Sequence, residues 1–357
     1  MNIYTHHHYL KFKYFVIILL LLIGVIGGIC AFKKLKLSEN GYESDNFYQK
    51  LTDGKDINIL VVGDSIGKGS GASSADKSWD SLLSTLLNKK YNVNCKITNI
   101  SMGGNSSYAG YVRTMELYDN VDYDLAIICY GQNDKKENLS LYYESIIRAI
   151  QRKYKNCEII SVLESSQKKY TTKIQQIQQL DNYYGIPIAD TIASFKNSGI
   201  NYEKLSDDGI HPSDEGHKIY AKTIEDVISY KLESGNSYVQ YNLYPYNKDV
   251  IKFDTFKYIP VAKFTRINKT TFEIQMEDIS GILGIDYSFE SGNNIANIYI
   301  DNQLFAAPTI SFNYDFSQRH IIIVKNDCKV ESNISIEFGS TKQADDFQGI
   351  IFSDIGS

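Results

Sequence analysis

Short apolar runs alternate with segments of helical periodicity between residues 57 and 232, and this alternation constrains the fold more than any other feature of the chain. The runs are continuously apolar, as expected of parallel strands that are buried on both faces. The pattern predicts a doubly wound α/β domain over residues 57–235. The predicted strands are Ile57–Val62, Lys96–Ile100, Leu125–Tyr130, Glu158–Leu163 and Ile186–Ala189, and the predicted helices are Trp79–Tyr91, Leu139–Tyr154, Thr172–Tyr184 and Ser213–Leu232, the last capped by Ser213.

Polar residues follow the predicted strands at the points where the strands end. Gly63, Asp64 and Ser65 come after the first strand, and the segment 131–134 (GQND) comes after the third. In an open parallel sheet, ligands bind at the carboxyl ends of the strands. We therefore expect these polar segments to form one functional site.

Ser65 is the candidate nucleophile of this site. It lies between Gly63 and Gly67, so the backbone can turn sharply and expose the hydroxyl. A serine hydroxyl is a weak nucleophile unless a base removes its proton. His211 is the candidate base, and Asp208, three residues earlier in the segment DGIHP, can fix its tautomer and stabilise the imidazolium.

Backbone and side-chain N–H groups are needed to stabilise an oxyanion. Candidate donors are the backbone of Ser65 and Gly104 and the side-chain amide of Asn133. The remaining histidines outside the N-terminal run have other expected places. His217 should face away from the site on the last helix and serve structure, and His320 lies in the distant β-rich half.

Four segments together resemble the conserved blocks of the SGNH (GDSL-type) hydrolases, in the same order and spacing over roughly residues 55–235. The resemblance implies that Ser65 is the nucleophile, that His211 and Asp208 complete a catalytic triad, and that Gly104 and Asn133 complete the oxyanion hole. Gly104 is preferred to its neighbour because it lies five residues after an asparagine, as in the family. The segments are GDS at 63–65, NISMGGN at 99–105, GQND at 131–134 and DGIHP at 208–212.

Each of these segments has a simpler interpretation when it is taken alone. Any of them is compatible with a polar turn or a helix cap. The segment 63–67 (GDSIG) also fits the nucleophile elbow of α/β-hydrolases. That fold places its serine after several strands and its acid well upstream of the histidine, whereas here the serine ends the first strand. The SGNH interpretation therefore fits better.

An uncharged stretch over residues 14–32 predicts a membrane anchor. Its 19 residues would span roughly 28 Å as a helix, enough to cross a bilayer core, and lysines flank it on both sides. The stretch is too long for the core of a cleaved signal peptide. We expect a short tail at 1–13, a tether at 33–56 and an extracytoplasmic catalytic domain. The expected location is thus the membrane, with a single pass.

The C-terminal part is predicted to be rich in β-structure. Residues 236–255, with several tyrosines, are typical of a packed linker, and residues 256–357 contain runs of β-forming residues separated by Asn, Asp and Gly. This pattern predicts an antiparallel, sandwich-like domain. A domain of this kind can bind glycan, or it can only shield or position the hydrolase, and the sequence leaves both open.

Charge and cysteine usage restrict the partners. The formal net charge is −5, so no basic surface for nucleic acid is expected. The 5 cysteines have no metal-ligand spacing, and no metal or cofactor is predicted. The sequence thus predicts a membrane-anchored serine esterase acting on small acyl esters, such as O-acetyl groups of an envelope or extracellular polysaccharide. The alternatives are an O-acyltransferase acting on a glycan, a lipase or thioesterase, and a catalytically silent glycan-binding protein.

Overall fold

The computed structural model describes residues 46–235, 241–289, 296–308 and 318–355. Within those ranges no helix combines the length and the apolar content that a membrane span needs. The predicted anchor at 14–32 lies outside the described residues.

Five parallel strands form the central sheet of the α/β domain. Their spatial order is β2-β1-β3-β4-β5, so the chain reverses its direction of progress between β1 and β3. Such a switch point leaves a crevice at the carboxyl ends of the two strands on either side of it. The strands are β1 (Ile57–Gly63), β2 (Cys95–Asn99), β3 (Leu125–Cys129), β4 (Glu158–Leu163) and β5 (Ile188–Asp190).

Helices cover both faces of this sheet and bury a separate apolar core on each. The α/β domain with a parallel sheet is therefore confirmed, and the predicted elements occur with ends shifted by a few residues. Ser213 caps the last helix, as predicted, by accepting a hydrogen bond from Gly216 N. The helices are α1 (Phe47–Thr52), α2 (Trp79–Tyr91), α3 (Ser107–Glu116), α4 (Lys136–Lys153), α5 (Thr172–Tyr184), α6 (Thr191–Asn197), α7 (Tyr202–Leu205) and α8 (Asp214–Glu233).

The sequence prediction missed α3 because this helix is buried on nearly all sides. Residues 107–112 are all buried, so no polar face recurs with the helical period. Gly110 also lowers the helix propensity. It is needed there, since a Cβ at Gly110 would lie 2.6 Å from the Cε2 atom of Tyr130.

Helix α1 lies inside the segment for which we predicted a tether. Three of its six residues, Phe47, Tyr48 and Leu51, are buried in the core beneath β1. Six residues are too few to show a helical period in the sequence. The described part of the predicted tether therefore belongs to the folded α/β domain from residue 46 onward.

Two antiparallel sheets form the C-terminal region. One has the order β11-β10-β13-β8-β7 and the other β12-β9-β14-β6. The strands are β6 (Phe256–Pro260), β7 (Thr265–Arg266), β8 (Thr271–Gln275), β9 (Ile279–Phe289), β10 (Ala296–Ile300), β11 (Gln303–Ala306), β12 (Gln318–Val330), β13 (Asn333–Phe338) and β14 (Phe347–Ser353), with a short helix α9 (Thr341–Asp345).

Both sheets contribute side chains to one apolar core. Leu283 and Ile350 come from one sheet, and Ile298 and Ile336 come from the other. Alternate burial along the strands, as in β10, is typical of a sheet with one face on a core. The predicted antiparallel β-rich region is therefore confirmed.

The end of the predicted linker and the C-terminal region both pack on helix α3. The ring of Phe253 contacts that of Tyr111 edge to face at 5.3 Å, and Tyr111 donates its hydroxyl hydrogen to Phe253 O at 2.8 Å. Ile321 of β12 and Ile351 of β14 share a buried cluster with residues of the α/β domain. This junction places the beginning of β12 beside the carboxyl ends of β1 and β3.

The described part of the predicted linker is packed against the α/β domain. Tyr241 accepts a hydrogen bond from Ile159 N at 2.6 Å. The buried carboxylate of Glu144 accepts hydrogen bonds from the backbone of Tyr246 at 2.6 Å and of Asn247 at 2.9 Å. These polar contacts fix the path of the chain from α8 to the second region.

Candidate active site

Ser65 lies directly after β1, at the switch point of the sheet. The chain turns there into a short coil, in which Ile66 O accepts a hydrogen bond from the indole of Trp79 at 2.9 Å. Ser65 is partly exposed, whereas Asp64 before it is buried. The turn therefore presents one hydroxyl to the crevice and directs its neighbour into the core.

His211 and Asp208 extend from Ser65 as a chain of hydrogen-bonding groups. His211 Nε2 lies 2.9 Å from Ser65 Oγ, and His211 Nδ1 lies 2.5 Å from Asp208 Oδ2. The other carboxylate oxygen of Asp208 accepts the backbone N–H groups of Ile210 and His211, each at 2.8 Å. The structure thus brings the three predicted triad residues together in the expected order.

The electrostatics of this loop favour an ionised Asp208. Partial burial opposes ionisation, but the hydrogen bonds from the side chain and backbone of His211 outweigh it and lower the pKa of Asp208 to about 2. A carboxylate at this position can hold the imidazole with Nε2 free to accept a proton.

The loop that carries His211 packs against the loop after Ser65. A Cβ at Gly71, whose φ is +96°, would lie 2.2 Å from Pro212 O and 2.9 Å from His211 Cβ. Only a glycine permits this approach. Gly71 therefore belongs with the site residues, although the sequence analysis did not single it out.

Gly104 and Asn133 line the same cleft as Ser65 and His211. The side-chain amide of Asn133 donates hydrogen bonds to Asp64 Oδ2 at 3.0 Å and to Asn105 O at 3.2 Å. The predicted oxyanion-hole residues are thus near the nucleophile. One of them, Asn133, is held by the buried carboxylate of Asp64, the residue before Ser65.

Asn105 connects the Gly104 loop to the C-terminal region. Its amide donates to Gly103 O at 2.9 Å and to Arg319 O at 2.8 Å, and its carbonyl accepts the N–H of Ile321 at 3.0 Å. Gln318 also donates a hydrogen bond to Gly103 O. The contacts with residues 318–321 span more than 200 residues of sequence, so no local pattern could have indicated them.

Asp134 fixes the other side of the site. It accepts hydrogen bonds from Ser107 N at 2.9 Å and Ser107 Oγ at 2.6 Å, at the start of α3. Burial raises the pKa of Asp134 to about 6, while the bonds from Ser107 oppose the rise. The last residue of the GQND segment therefore has a structural role, as the anchor of a helix.

The catalytic cleft has a volume of about 740 Å³ and is lined by both regions of the chain. A second cleft of about 580 Å³ shares Gly104 and Asn133 with it and runs between α3, α4 and strand β12. Gln318 and Arg319 line the first cleft, and residues 320–326 line the second. The sequence analysis did not place any residue of the C-terminal region at the site.

The remaining histidines lie away from this chemistry. His217 is buried, as predicted for a structural residue; its Nδ1 accepts the N–H of Trp79 at 3.3 Å, and its Nε2 lies 3.3 Å from Ser70 O. His320 is buried in β12, and burial lowers its pKa to about 4. Among the described ranges, no three His, Cys, Asp or Glu side chains are grouped so that they could hold a metal ion.

Two of three comparisons with known proteins found matches. Residues 61–219 match the family model of the GDSL-like lipase/acylhydrolases. A search of curated proteins gave no match. Seventy-five solved chains match, and two of them are crystal structures of a two-domain esterase active on acetylated mannans.

The structure co-crystallised with mannopentaose has a TM-score of 0.69 and 16% identity, and the match covers 86% of this chain and 93% of that chain. The other has a TM-score of 0.67 and 16% identity, and the match covers 85% and 93%. A catalytic mutant of an acetylxylan esterase from Geobacillus stearothermophilus has a TM-score of 0.43 and 19% identity over 50% of this chain and 97% of that chain. At these identities the two-domain esterase shares the fold, and the match extends beyond the α/β domain.

Proposed function

We propose that the chain, an ester hydrolase whose residues 61–219 match the GDSL-like lipase/acylhydrolase family, cleaves small acyl esters through an acyl-enzyme on Ser65. The observation that carries this proposal is the unbroken contact from Ser65 Oγ to His211 Nε2 at 2.9 Å and from His211 Nδ1 to Asp208 Oδ2 at 2.5 Å. This is the geometry of an activated serine nucleophile.

In acylation, Ser65 Oγ attacks the ester carbonyl carbon while its proton passes to His211 Nε2. The negative charge on the carbonyl oxygen is stabilised by the N–H groups of Ser65 and Gly104 and by the amide of Asn133. Of the two hydrogen bonds that the amide of Asn133 donates, the one to Asn105 O is the longer, at 3.2 Å. It is therefore the weaker, and its hydrogen can turn to the oxyanion.

The ester C–O bond then breaks, and His211 gives its proton to the departing alcohol. A water molecule enters, loses a proton to His211 and attacks the acyl-enzyme, which releases the acid and restores Ser65. Asp208 stabilises the imidazolium in both halves of the reaction. Each proton that leaves the nucleophile thus returns to a leaving group through the same nitrogen atom.

We propose that the acyl group is short, such as acetyl. Beside the apolar Ile100, Met102 and Ile210, the lining of the catalytic cleft includes the polar side chains of Lys68, Arg113, Gln132 and Gln318. A long acyl chain needs a continuous apolar lining, because burying it against charged groups gives up the hydrophobic gain. This lining favours an acetyl ester over a lipid.

We propose that the alcohol is a polysaccharide, which would contact the C-terminal region. Gly104 and Asn133 line both clefts, so the groove along β12 lies next to the reacting ester and can receive a chain that extends from it. The likeness in fold to a two-domain esterase active on acetylated mannans supports this choice of substrate class. In this arrangement the C-terminal region forms one wall of the groove.

We also retain the proposal that residues 14–32 anchor the chain in a membrane with the catalytic domain outside. The support is the uncharged run itself, which is long enough to span a bilayer core. Protease treatment of intact cells should degrade the catalytic domain, and full protection would refute this orientation.

The purified full-length chain should hydrolyse p-nitrophenyl acetate faster than long-chain esters and should release acetate from acetylated mannan or xylan. Ser65→Ala should abolish both activities, whereas the matched control Ser84→Ala, on helix α2, should retain them. A preference for long chains, or activity that persists in Ser65→Ala, would refute the proposal. Acetyl transfer to added sugar in place of acetate release would identify an acyltransferase.

Filling the second cleft tests the polysaccharide separately. Asn326→Trp would add a large side chain to the wall formed by β12. We expect kcat/KM to fall by about fivefold or more on acetylated polymer relative to p-nitrophenyl acetate. Equal effects on both substrates would refute binding of the polymer along this groove.

A further inference from the structure

Two carboxyl groups are buried side by side beneath the catalytic cleft. Asp64 precedes the nucleophile, and Glu164 is the first residue after β4; both have 0% exposure. Their carboxyl groups are close enough to interact directly. The sequence analysis gave neither residue a role.

Together the two carboxyl groups hold consecutive residues of the oxyanion-hole loop. Asp64 Oδ2 accepts the side-chain amide of Asn133 at 3.0 Å, and Asp64 Oδ1 accepts the N–H of Ile66 at 2.9 Å. Glu164 Oε2 accepts the N–H of Gln132 at 2.7 Å. The pair therefore connects the turn of the nucleophile, the amide donor and the backbone next to it.

The donors around the pair decide which carboxyl group carries a proton. Two adjacent buried carboxyl groups cannot both ionise at low cost. Burial raises the pKa of Asp64 to about 7, and the hydrogen bonds that it accepts from the neutral donors Ile66 N–H and the amide of Asn133 favour its ionised form. Burial, and next the charge of Asp64, raise the pKa of Glu164 well above its usual range.

We propose that Glu164 is a positioning residue for the oxyanion hole: in its protonated form it donates to Asp64 and, through that carboxylate, holds the amide of Asn133 toward the cleft. The inference rests on the proposed function, because it assigns Asn133 to the oxyanion. Glu164 itself touches no reacting atom. Its effect is to fix the direction of one hydrogen-bond donor before substrate binds.

Leucine at position 164 would remove both contacts without changing the side-chain volume greatly. Gln132 N–H would lose its acceptor, and Asp64 would become a buried charge with one donor fewer. An amide at position 164 would preserve both contacts, because glutamine can donate to Asp64 and accept from Gln132. At position 64 an amide would offer one acceptor oxygen to three donors, namely Ile66 N–H, the amide of Asn133 and Glu164. The proposal therefore predicts that an amide is tolerated at position 164 and lowers activity at position 64.

The test compares Glu164→Leu, Glu164→Gln and Asp64→Asn for hydrolysis of p-nitrophenyl acetate, with rates divided by the number of active sites titrated. Glu164→Leu and Asp64→Asn should each lower kcat by about tenfold or more with little change in KM, because the donor acts mainly in the transition state. Glu164→Gln should stay within about threefold of the wild type. The control Glu144→Gln changes a buried acid that lines neither cleft and should leave kcat unchanged.

A double-mutant cycle with Asn133→Ala tests whether Glu164 acts through that amide. If it does, Glu164→Leu should have almost no further effect on kcat once Asn133 is removed. Equal losses in both backgrounds would overturn the proposal, and so would a tolerated Asp64→Asn beside a damaging Glu164→Gln. A merely structural role would lower the titrated fraction of active sites without changing kcat.

Infrared spectroscopy gives a readout that needs no activity. At neutral pH the wild type should show a protonated-carboxyl C=O band that is lost in Glu164→Gln and kept in Glu144→Gln. Absence of a band assignable to Glu164 would overturn the proposal. If the wild type hydrolysed no ester, the proposed function would fail, whereas the band would still decide where the proton lies.

Discussion

Asn105→Ala should weaken the junction between the catalytic loop and the C-terminal region. Asn105 is 2% exposed and makes three hydrogen bonds, to Gly103 O, Arg319 O and Ile321 N. At about 1 kcal/mol for each bond, and with two of the partners left inside the junction, the free energy of unfolding should fall by about 3 kcal/mol. Asn105→Asp should cost more, because a carboxylate would face two carbonyl oxygens.

The loss should be measured by urea denaturation, with Asn138→Ala as the control. Asn138 lines the neighbouring cleft and is exposed, so its removal should change stability by less than about 0.5 kcal/mol. The kcat of Asn105→Ala should also fall, since the backbone oxygen of residue 105 and the adjacent Gly104 belong to the oxyanion loop. If Asn105→Ala were as stable as the control, the three contacts would not hold the junction, and the argument would be refuted.

Two further predictions concern acids near the cleft. Asp208→Asn should lower kcat by about a hundredfold or more. The pKa of Asp208 is about 2, so any loss of wild-type activity that occurs above pH 4 on acidification should come from the titration of another group. Burial, and next the charge of Asp286, raise the pKa of Glu116 from 4.5 to about 7. Protonated Glu116 therefore favours the folded state below pH 4.5, and this stability is lost as the pH rises through 7. In urea denaturation, the free energy of unfolding of Glu116→Gln should equal that of the wild type at pH 4.5 and exceed it by about 1–2 kcal/mol at pH 8, after allowance for solvent screening. Equal stability at pH 8 would contradict a raised pKa of Glu116.

The α/β domain could be predicted from the sequence because its strands are continuous apolar runs. The run from Ile57 is buried almost throughout, and the long amphipathic helices cover it as their periodicity indicates. Helix α3 could not be predicted, since a helix buried on all sides has no polar period. The C-terminal strands were predicted only as a region, because their pairing depends on distant contacts such as that of β9 with β12.

The candidate site divides in the same way. The triad lies in short segments whose residue types indicate their chemistry, and the fold brings those segments to one edge of the sheet. The triad residues are Ser65, Asp208 and His211. Glu164 and Gln318 stand in segments without such a signal. Their importance comes from contact alone: one is buried against Asp64, and the other reaches Gly103 from the second region.

The reacting groups and the groups that align them come from different parts of the chain. The reacting groups lie on loops of one domain, but the groups that fix the oxyanion loop come from β4 below it and from β12 beside it. A substrate that fills the groove along β12 therefore contacts the same strand that holds Asn105 and, through it, the loop of Gly104. On this argument, binding of a polymer and the alignment of the oxyanion hole are coupled, so kcat should be higher on acetylated polysaccharide than on an acetylated monosaccharide. Equal kcat values on the two would show that the second region contributes to binding alone.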